Sequence, residues 1–273
     1  MMWALEALRC PRDGTVLRVK QADKWDGEDL WEGELACMEG HVWKVLEGLP
    51  SLVRMEEVSE EDMQWIREYD ERAEEYDDRI KIYDVFLKTD MMKGRQDFMA
   101  TVPLEEGSKI VDVSIGTALN FVAMYNANPE QVRKALLYGV DLSLGMLRVA
   151  RQKLKALNLK SALVHADTNK HYPFPDDYFD AVIHTGGINT FSDQSRAFSE
   201  MTRICKPGGR VVVCDEGLSL EQEKTEFGQW VISHNKLFKH KPPLDKVPKD
   251  VEDLRHWWIM NDTFYVITYR KRR

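Results

Sequence analysis

Three carboxylates stand at intervals that suit one ligand. Asp112 lies in Val111-Asp112-Val113-Ser114-Ile115-Gly116-Thr117-Ala118, where a β-branched run gives way to small residues at 114, 116 and 118. Small side chains let backbone approach a ligand closely, and a helix starting just beyond offers free N–H groups. Asp141 follows 25 residues after Gly116, in Gly139-Val140-Asp141-Leu142-Ser143. A carboxylate there can accept two hydrogen bonds from a ribose diol, and capping of the next helix by Asp141 or Ser143 is the competing role. Asp167 closes a third run, His165-Ala166-Asp167-Thr168, and can receive a purine amine or simply turn the chain. A nucleoside with an amino-acid tail needs acceptors for an ammonium, a ribose diol and an adenine amine. The three acids supply them together.

The elements that must position these acids alternate from residue 101 onward, as in an α/β layer fold. Strand-like runs cover residues 109–113, 136–140, 162–166, 179–184 and 210–214, with helical patterns between them. Each acid closes one of three successive strands, so all three belong on one edge of the sheet. The helix inward at Ala197, Phe198, Met201 and Ile204 stops at Lys206-Pro207-Gly208-Gly209, where the glycines permit a reversing turn. Leu254–Met260 and Thr263–Tyr269 predict a closing hairpin around Asn261-Asp262. Ahead of this core, residues 59–92 predict a helix capped by Ser59, with no Pro or Gly before Gly94. Residues 1–54 are turn-rich and β-like, with short runs at 15–19 and 41–45.

The 273-residue chain is 43% hydrophobic with a net charge of −8, which supports a core and argues against nucleic acid as main partner. Residues 239–273 carry +4, read as a solvated patch. No run reaches the ~18 apolar residues of a membrane span. The opening residues lack a signal-peptide pattern, so a cytoplasmic location is expected. Cys10, Cys37, Cys205 and Cys214 are then free thiols.

The ordered set resembles the class I S-adenosylmethionine-dependent methyltransferases, in the style of the ubiquinone/menaquinone-biosynthesis group. It includes residues 111–118, 139–151, Ala166-Asp167, 173–182 and 200–210. The resemblance implies a Rossmann-like doubly wound sheet, mostly parallel with an antiparallel C-terminal hairpin, and S-adenosylmethionine as cofactor. Asp112, Ser114, Gly116 and Thr117 then flank the methionine moiety. Asp141 takes the ribose diol, Leu142 and Met146 pack near adenine, Asp167 and Thr168 border its amine, and His184 faces the sulfonium. Ser114 and Ala118 stand where the family has glycines. A nicotinamide-dependent oxidoreductase is the alternative, though its Gly-x-Gly-x-x-Gly is absent; a non-catalytic assembly protein keeping the fold is another.

The expected organisation is a small module over 1–58 and a methyltransferase domain over 59–273. Segments 59–100 and 217–250 cap the crevice and select a small-molecule acceptor with an aromatic or apolar portion. Tyr69, Tyr76, Tyr83, Phe191, Trp230 and Phe238 offer ring surface. A homo-oligomer is compatible with all of this. No general base is assigned among His184, Asp215, Glu216 and His234. The module resembles a zinc ribbon in which Asp13 and Gly40 replace cysteines. Cys10, Asp13, Cys37 and His41 are a mixed ligand set, but carboxylate is uncommon in structural zinc sites, and a metal-free ribbon is expected.

Overall fold

The computed structural model describes residues 2–273. Four strands open the chain: β1 (Arg18–Asp26), β2 (Asp29–Ala36), β3 (Val42–Leu46) and β4 (Leu49–Ser51). Helices α1 (Glu60–Arg72), α2 (Tyr76–Phe86) and α3 (Met91–Met99) follow. The alternating part runs β5 (Lys109–Val113), α4 (Leu119–Ala127), α5 (Pro129–Lys134), β6 (Leu136–Asp141), α6 (Leu144–Ala156) and β7 (Ser161–His165). It continues through β8 (Phe179–Thr185), α7 (Gln194–Ile204) and β9 (Cys205–Glu216). Short helices α8 (Leu220–Glu223) and α9 (Glu226–His234) precede the hairpin β10 (Val251–Ile259) and β11 (Phe264–Lys271).

Among the described residues all eleven strands form one sheet, ordered β1-β2-β3-β4-β7-β6-β5-β8-β9-β11-β10. The stretch from β4 to β9 is parallel, and both flanks are antiparallel. Register sets Val113 beside Val140 and His184, and Asp141 beside His165, so Asp112, Asp141 and the Asp167 turn share the carboxyl rim. The period-2 alternation of strands divides the apolar side chains between two cores. One gathers Val111, Val113, Val140, Val164, Val182 and Val213; the other gathers Ile110, Leu137, Leu163, Ile183 and Val212. Asp112 points with Ile110, beneath α3 and α4.

The N-terminal strands join the sheet at Ser51 and His165, where β4 meets β7. The Leu52 N–H donates to the His165 carbonyl at 2.7 Å. Burial drives the His165 pKa down to about 4, so the ring is neutral. Its Nδ1 accepts from Ser51 Oγ at 2.8 Å and its Nε2–H donates to the Leu142 carbonyl at 3.0 Å.

Four local expectations are corrected. The 59–92 helix is interrupted by a 3-10 turn at Ala73–Glu75 and again near Lys88, whose φ is +53°. Ser59 does cap α1, accepting from the Asp62 N–H at 3.0 Å. Residues 206–209 bulge within β9, between pairs Phe179–Cys205 and Ala181–Arg210, instead of turning ahead of it. The last hairpin closes through four residues, not two, with Met260, Asn261 and Asp262 all at positive φ. The single helical pattern that residues 221–238 carry in the 217–250 segment is split into α8, α9 and a 3-10 turn at Lys236–Lys239.

Candidate active site

A cleft of roughly 1080 Å³, continuous with solvent, opens over the carboxyl ends of β5 to β9. Its floor is Ser114, Gly116, Asp141, Leu142, Ser143 and Thr168; its far wall is Thr185, Gly186, Gly187, Asn189, Thr190 and Phe191 with Asp215 and Glu216. Helix α1 roofs it with Asp62, Trp65, Ile66 and Tyr69, beside Tyr76. Trp65 stacks on Tyr69, and Tyr69 meets Tyr76 edge-on, making a continuous aromatic surface.

The loop from β5 to α4 bends through left-handed backbone at Ser114 (φ +56°), Gly116 (+55°) and Ala118 (+66°). The bend brings the Gly116 N–H to Asp141 Oδ2 at 2.8 Å, while Asp141 Oδ1 accepts from the Ser143 N–H at 2.9 Å. Burial still outweighs these bonds and pushes the Asp141 carboxyl up to about 6. Asp141 therefore faces the cleft poised to ionise near neutrality. Leu142 and Met146 stand beside it, and Thr168 Oγ1 lies 3.2 Å from Ser114 Oγ across the floor.

The other expected residues lie outside the cleft lining. Asp112 is fully buried and accepts from Asn120 Nδ2 at 2.9 Å; its Oδ1 has no partner among the described residues. Burial lifts its carboxyl to about 7, against the pull of Asn120 and Arg95. Thr117 turns away, donating to Asp77 Oδ1 at 2.6 Å. Asp167 accepts from the Asn169 N–H at 2.9 Å behind the Thr168–Asn169 wall. His184 is buried, donates from Nδ1 to the Val113 carbonyl at 2.9 Å and meets Phe191 edge-on. Burial lowers its pKa to about 4, which leaves a neutral ring supporting the far wall.

Among the proton-transfer candidates, Asp215 and Glu216 reach the cleft and His234 does not. Asp215 accepts from the Asn189 and Gly187 N–H groups at 2.8 and 3.1 Å. Burial and the neighbouring Glu216 push its pKa well above the carboxylate range. Of the aromatic candidates, Tyr69, Tyr76 and Phe191 line the cleft. Trp230 packs on Phe86 at 4.7 Å, and Phe238 is buried in the core.

Two sets went unseen in the sequence. Arg95 Nη1 donates to Asn120 Oδ1 at 2.7 Å, and Asn120 also donates to Thr185 Oγ1 at 3.0 Å, joining α3, α4 and β8 behind the cleft. The cap is the second. Asp70 accepts from Ser143 Oγ and from the Gly145 N–H at the start of α6, and Asn169 Nδ2 donates to Asp62 Oδ1 at 3.1 Å. Acidic side chains of α1 and α2 thus sit on the positive N-terminal ends of α6 and α4. The acid-rich cap composition was the available signal.

The fold is that of the class I S-adenosylmethionine-dependent methyltransferases. Residues 111–213 match the family model described as a methyltransferase domain. The demethylmenaquinone methyltransferase of Geobacillus stearothermophilus is 38% identical over 127 residues, which is 46% of this chain and 52% of that protein. That of Bacillus mycoides is 37% identical over 119 residues, 43% of this chain and 48% of its own. The chain thus spans about half the length of the curated relatives it matches. Among solved structures, phosphoethanolamine N-methyltransferase 2 of Haemonchus contortus with S-adenosyl-L-methionine superposes with a TM-score of 0.56. It shares 16% identity over 85% of this chain and 64% of that one. The Haloferax volcanii complex of the Trm112 methyltransferase activator with a methyltransferase contains a chain similar at a TM-score of 0.52. That match has 18% identity and covers 76% of this chain and 98% of that one.

Proposed function

We propose that the protein transfers the methyl group of S-adenosylmethionine to a small acceptor with an aromatic or apolar portion. The carrying observation is Asp141, an accessible carboxylate fixed by two backbone N–H groups between an open backbone turn and the apolar Leu142 and Met146. The turn fits a nucleoside with an amino-acid tail: a Cβ built on Gly116 meets nothing within 4 Å, and the orphaned Asp112 Oδ1 waits behind it. Asp141 holds the ribose diol, Leu142 and Met146 flank adenine with Thr168 at its edge, and Ser114 and Gly116 border the methionine part. Asp112, Thr117, Asp167 and His184 act from behind the lining, holding the loops that make contact.

S-adenosylmethionine held at Asp141, Leu142 and Met146 would supply an activated methyl group for the acceptor. The chain's task is to align the acceptor and exclude water. Trp65, Tyr69, Tyr76 and Phe191 bind its apolar part, and Glu216 is the cleft carboxylate placed to take a proton it sheds. The caps 59–100 and 217–250 share this selection unequally: α1 forms the roof, while the second segment contributes Leu237 and buttresses α2. Residues 1–58 act as a supporting module. Among the described residues no helix is long and apolar enough to cross a membrane, and we place the activity in the cytoplasm without nucleic acid as partner.

Calorimetric titration with S-adenosylmethionine and NADH tests the reading. Heat is expected from the first ligand alone, with Asp141→Ala weakening it about 100-fold through loss of two charge-assisted hydrogen bonds. Tight NADH binding overturns it in favour of an oxidoreductase, and silence toward both favours an assembly role.

A further inference from the structure

Outside the cleft lining, two tight turns of the N-terminal module face each other. The first closes with the Gly14 N–H donating to the Cys10 carbonyl at 2.8 Å, the second with the Gly40 N–H donating to the Cys37 carbonyl at 3.2 Å. Each needs left-handed backbone at its glycine, with φ of +71° and +85°. The turns bring Cys10, Asp13, Cys37 and His41 together, with one donor atom from each lying within 4.8 Å of all the others. His41 Nδ1 is 3.6 Å from Cys10 Sγ, 3.3 Å from Cys37 Sγ and 2.8 Å from Asp13 Oδ2, and Cys37 Sγ is 3.1 Å from Asp13 Oδ2.

We propose that these four side chains hold one zinc ion. A tetrahedral zinc with sulfur at about 2.3 Å and nitrogen or oxygen at about 2.0–2.2 Å has donor-to-donor edges of roughly 3.3–3.8 Å. The three edges at His41 and the Cys37–Asp13 edge fall within that range or up to about half an ångström short of it, and the two remaining edges at Cys10 stay within 4.8 Å, so small side-chain adjustments around an ion complete the tetrahedron. Two thiolates, an imidazole and a carboxylate in a closed tetrahedron select zinc over magnesium or calcium, which take oxygen ligands. The carboxylate is oriented from outside the cluster: Asp13 Oδ1 accepts from the Thr15 N–H at 2.8 Å and Thr15 Oγ1 at 2.5 Å, turning Oδ2 inward. Both cysteines are buried among the module's apolar residues, which shields the thiolates from solvent. The sequence predicts a metal-free ribbon because Asp13 replaces a cysteine. The side-chain geometry shows that the replacement keeps a donor at the same corner.

Zinc should be measured on the full chain purified without chelator, and the zinc then exchanged for cobalt. One zinc per chain is expected, with the thiolate charge-transfer and intense d–d bands of tetrahedral cobalt. Cys37→Ser and His41→Ala should abolish both readings, and Cys205→Ser and Cys214→Ser should leave them intact. Should the first two variants fail to fold, thiol labelling of the unmodified chain decides: Cys10 and Cys37 should react only after chelation. Absence of zinc together with no cobalt uptake overturns the proposal. So does zinc whose removal leaves the reactivity of those two thiols unchanged.

Discussion

Ser114 and Ala118 occupy left-handed backbone without being glycine, at about 1–2 kcal/mol each for a residue carrying a Cβ. Ser114→Gly relieves that strain and gives back roughly 0.5–1 kcal/mol in extra unfolded-state entropy, so a net gain of about 0.5–1 kcal/mol is expected in chemical denaturation. Ala118→Gly should gain less, because it also surrenders a fully buried methyl. Asp112 gives a pH signature. Its folded pKa, raised to about 7 by burial, means the folded state binds more protons than the unfolded state, whose carboxyl titrates near 3.8. Stability is therefore lost as pH rises between about 4 and 7. Asp112→Asn keeps an acceptor for Asn120 and abolishes that loss. It should match the parent near pH 4 and exceed it above pH 8 by up to ~4 kcal/mol in thermal melts. Asp141 was legible because strand end, spacing and following serine all pointed to one place. Arg95 and Asn120 were not, since their bond joins two helices through a fold that neither segment encodes locally.

The elements tell the same story at longer range. Strands β5 to β9 were readable from β-branched runs buried on both faces, the mark of a parallel sheet centre. Strand β1 was not, because residues such as Lys20, Gln21, Asp23 and Lys24 are exposed along nearly its whole length and leave no alternating signature. The break between α1 and α2 was hidden for another reason. It places Asp70 and Asp77 on the N-termini of α6 and α4, a tertiary demand with no glycine or proline to announce it. Gly145 shows how tight that seating is: a Cβ there would lie 2.9 Å from the Asp70 Cα and 3.1 Å from its carbonyl oxygen. Gly145→Ala should force α1 off α6 at a cost of about 1–3 kcal/mol. Faster amide exchange across residues 60–72 and a raised KM for the acceptor would register it; unchanged exchange would mean that α1 already moves freely.

For the whole molecule, the deciding feature is that one apolar core runs without interruption from the module to the last strand. Leu8, Leu35 and Trp43 share it with Tyr138, Val164 and Tyr269. The chain should consequently unfold as one unit, with far-UV dichroism and tryptophan fluorescence giving coincident denaturation curves. Leu35→Ala should shift both together by about 2–5 kcal/mol, and separate transitions would show the module to be independent. The outermost strands carry a consequence of their own. Strand β1 and much of β10 turn charged side chains such as Lys24, Asp26, Glu252 and Arg255 to solvent. Bristling borders of this kind discourage ribbon-to-ribbon accretion. Strand-to-strand joining of copies is thereby disfavoured, and with it filament growth in a crowded cell.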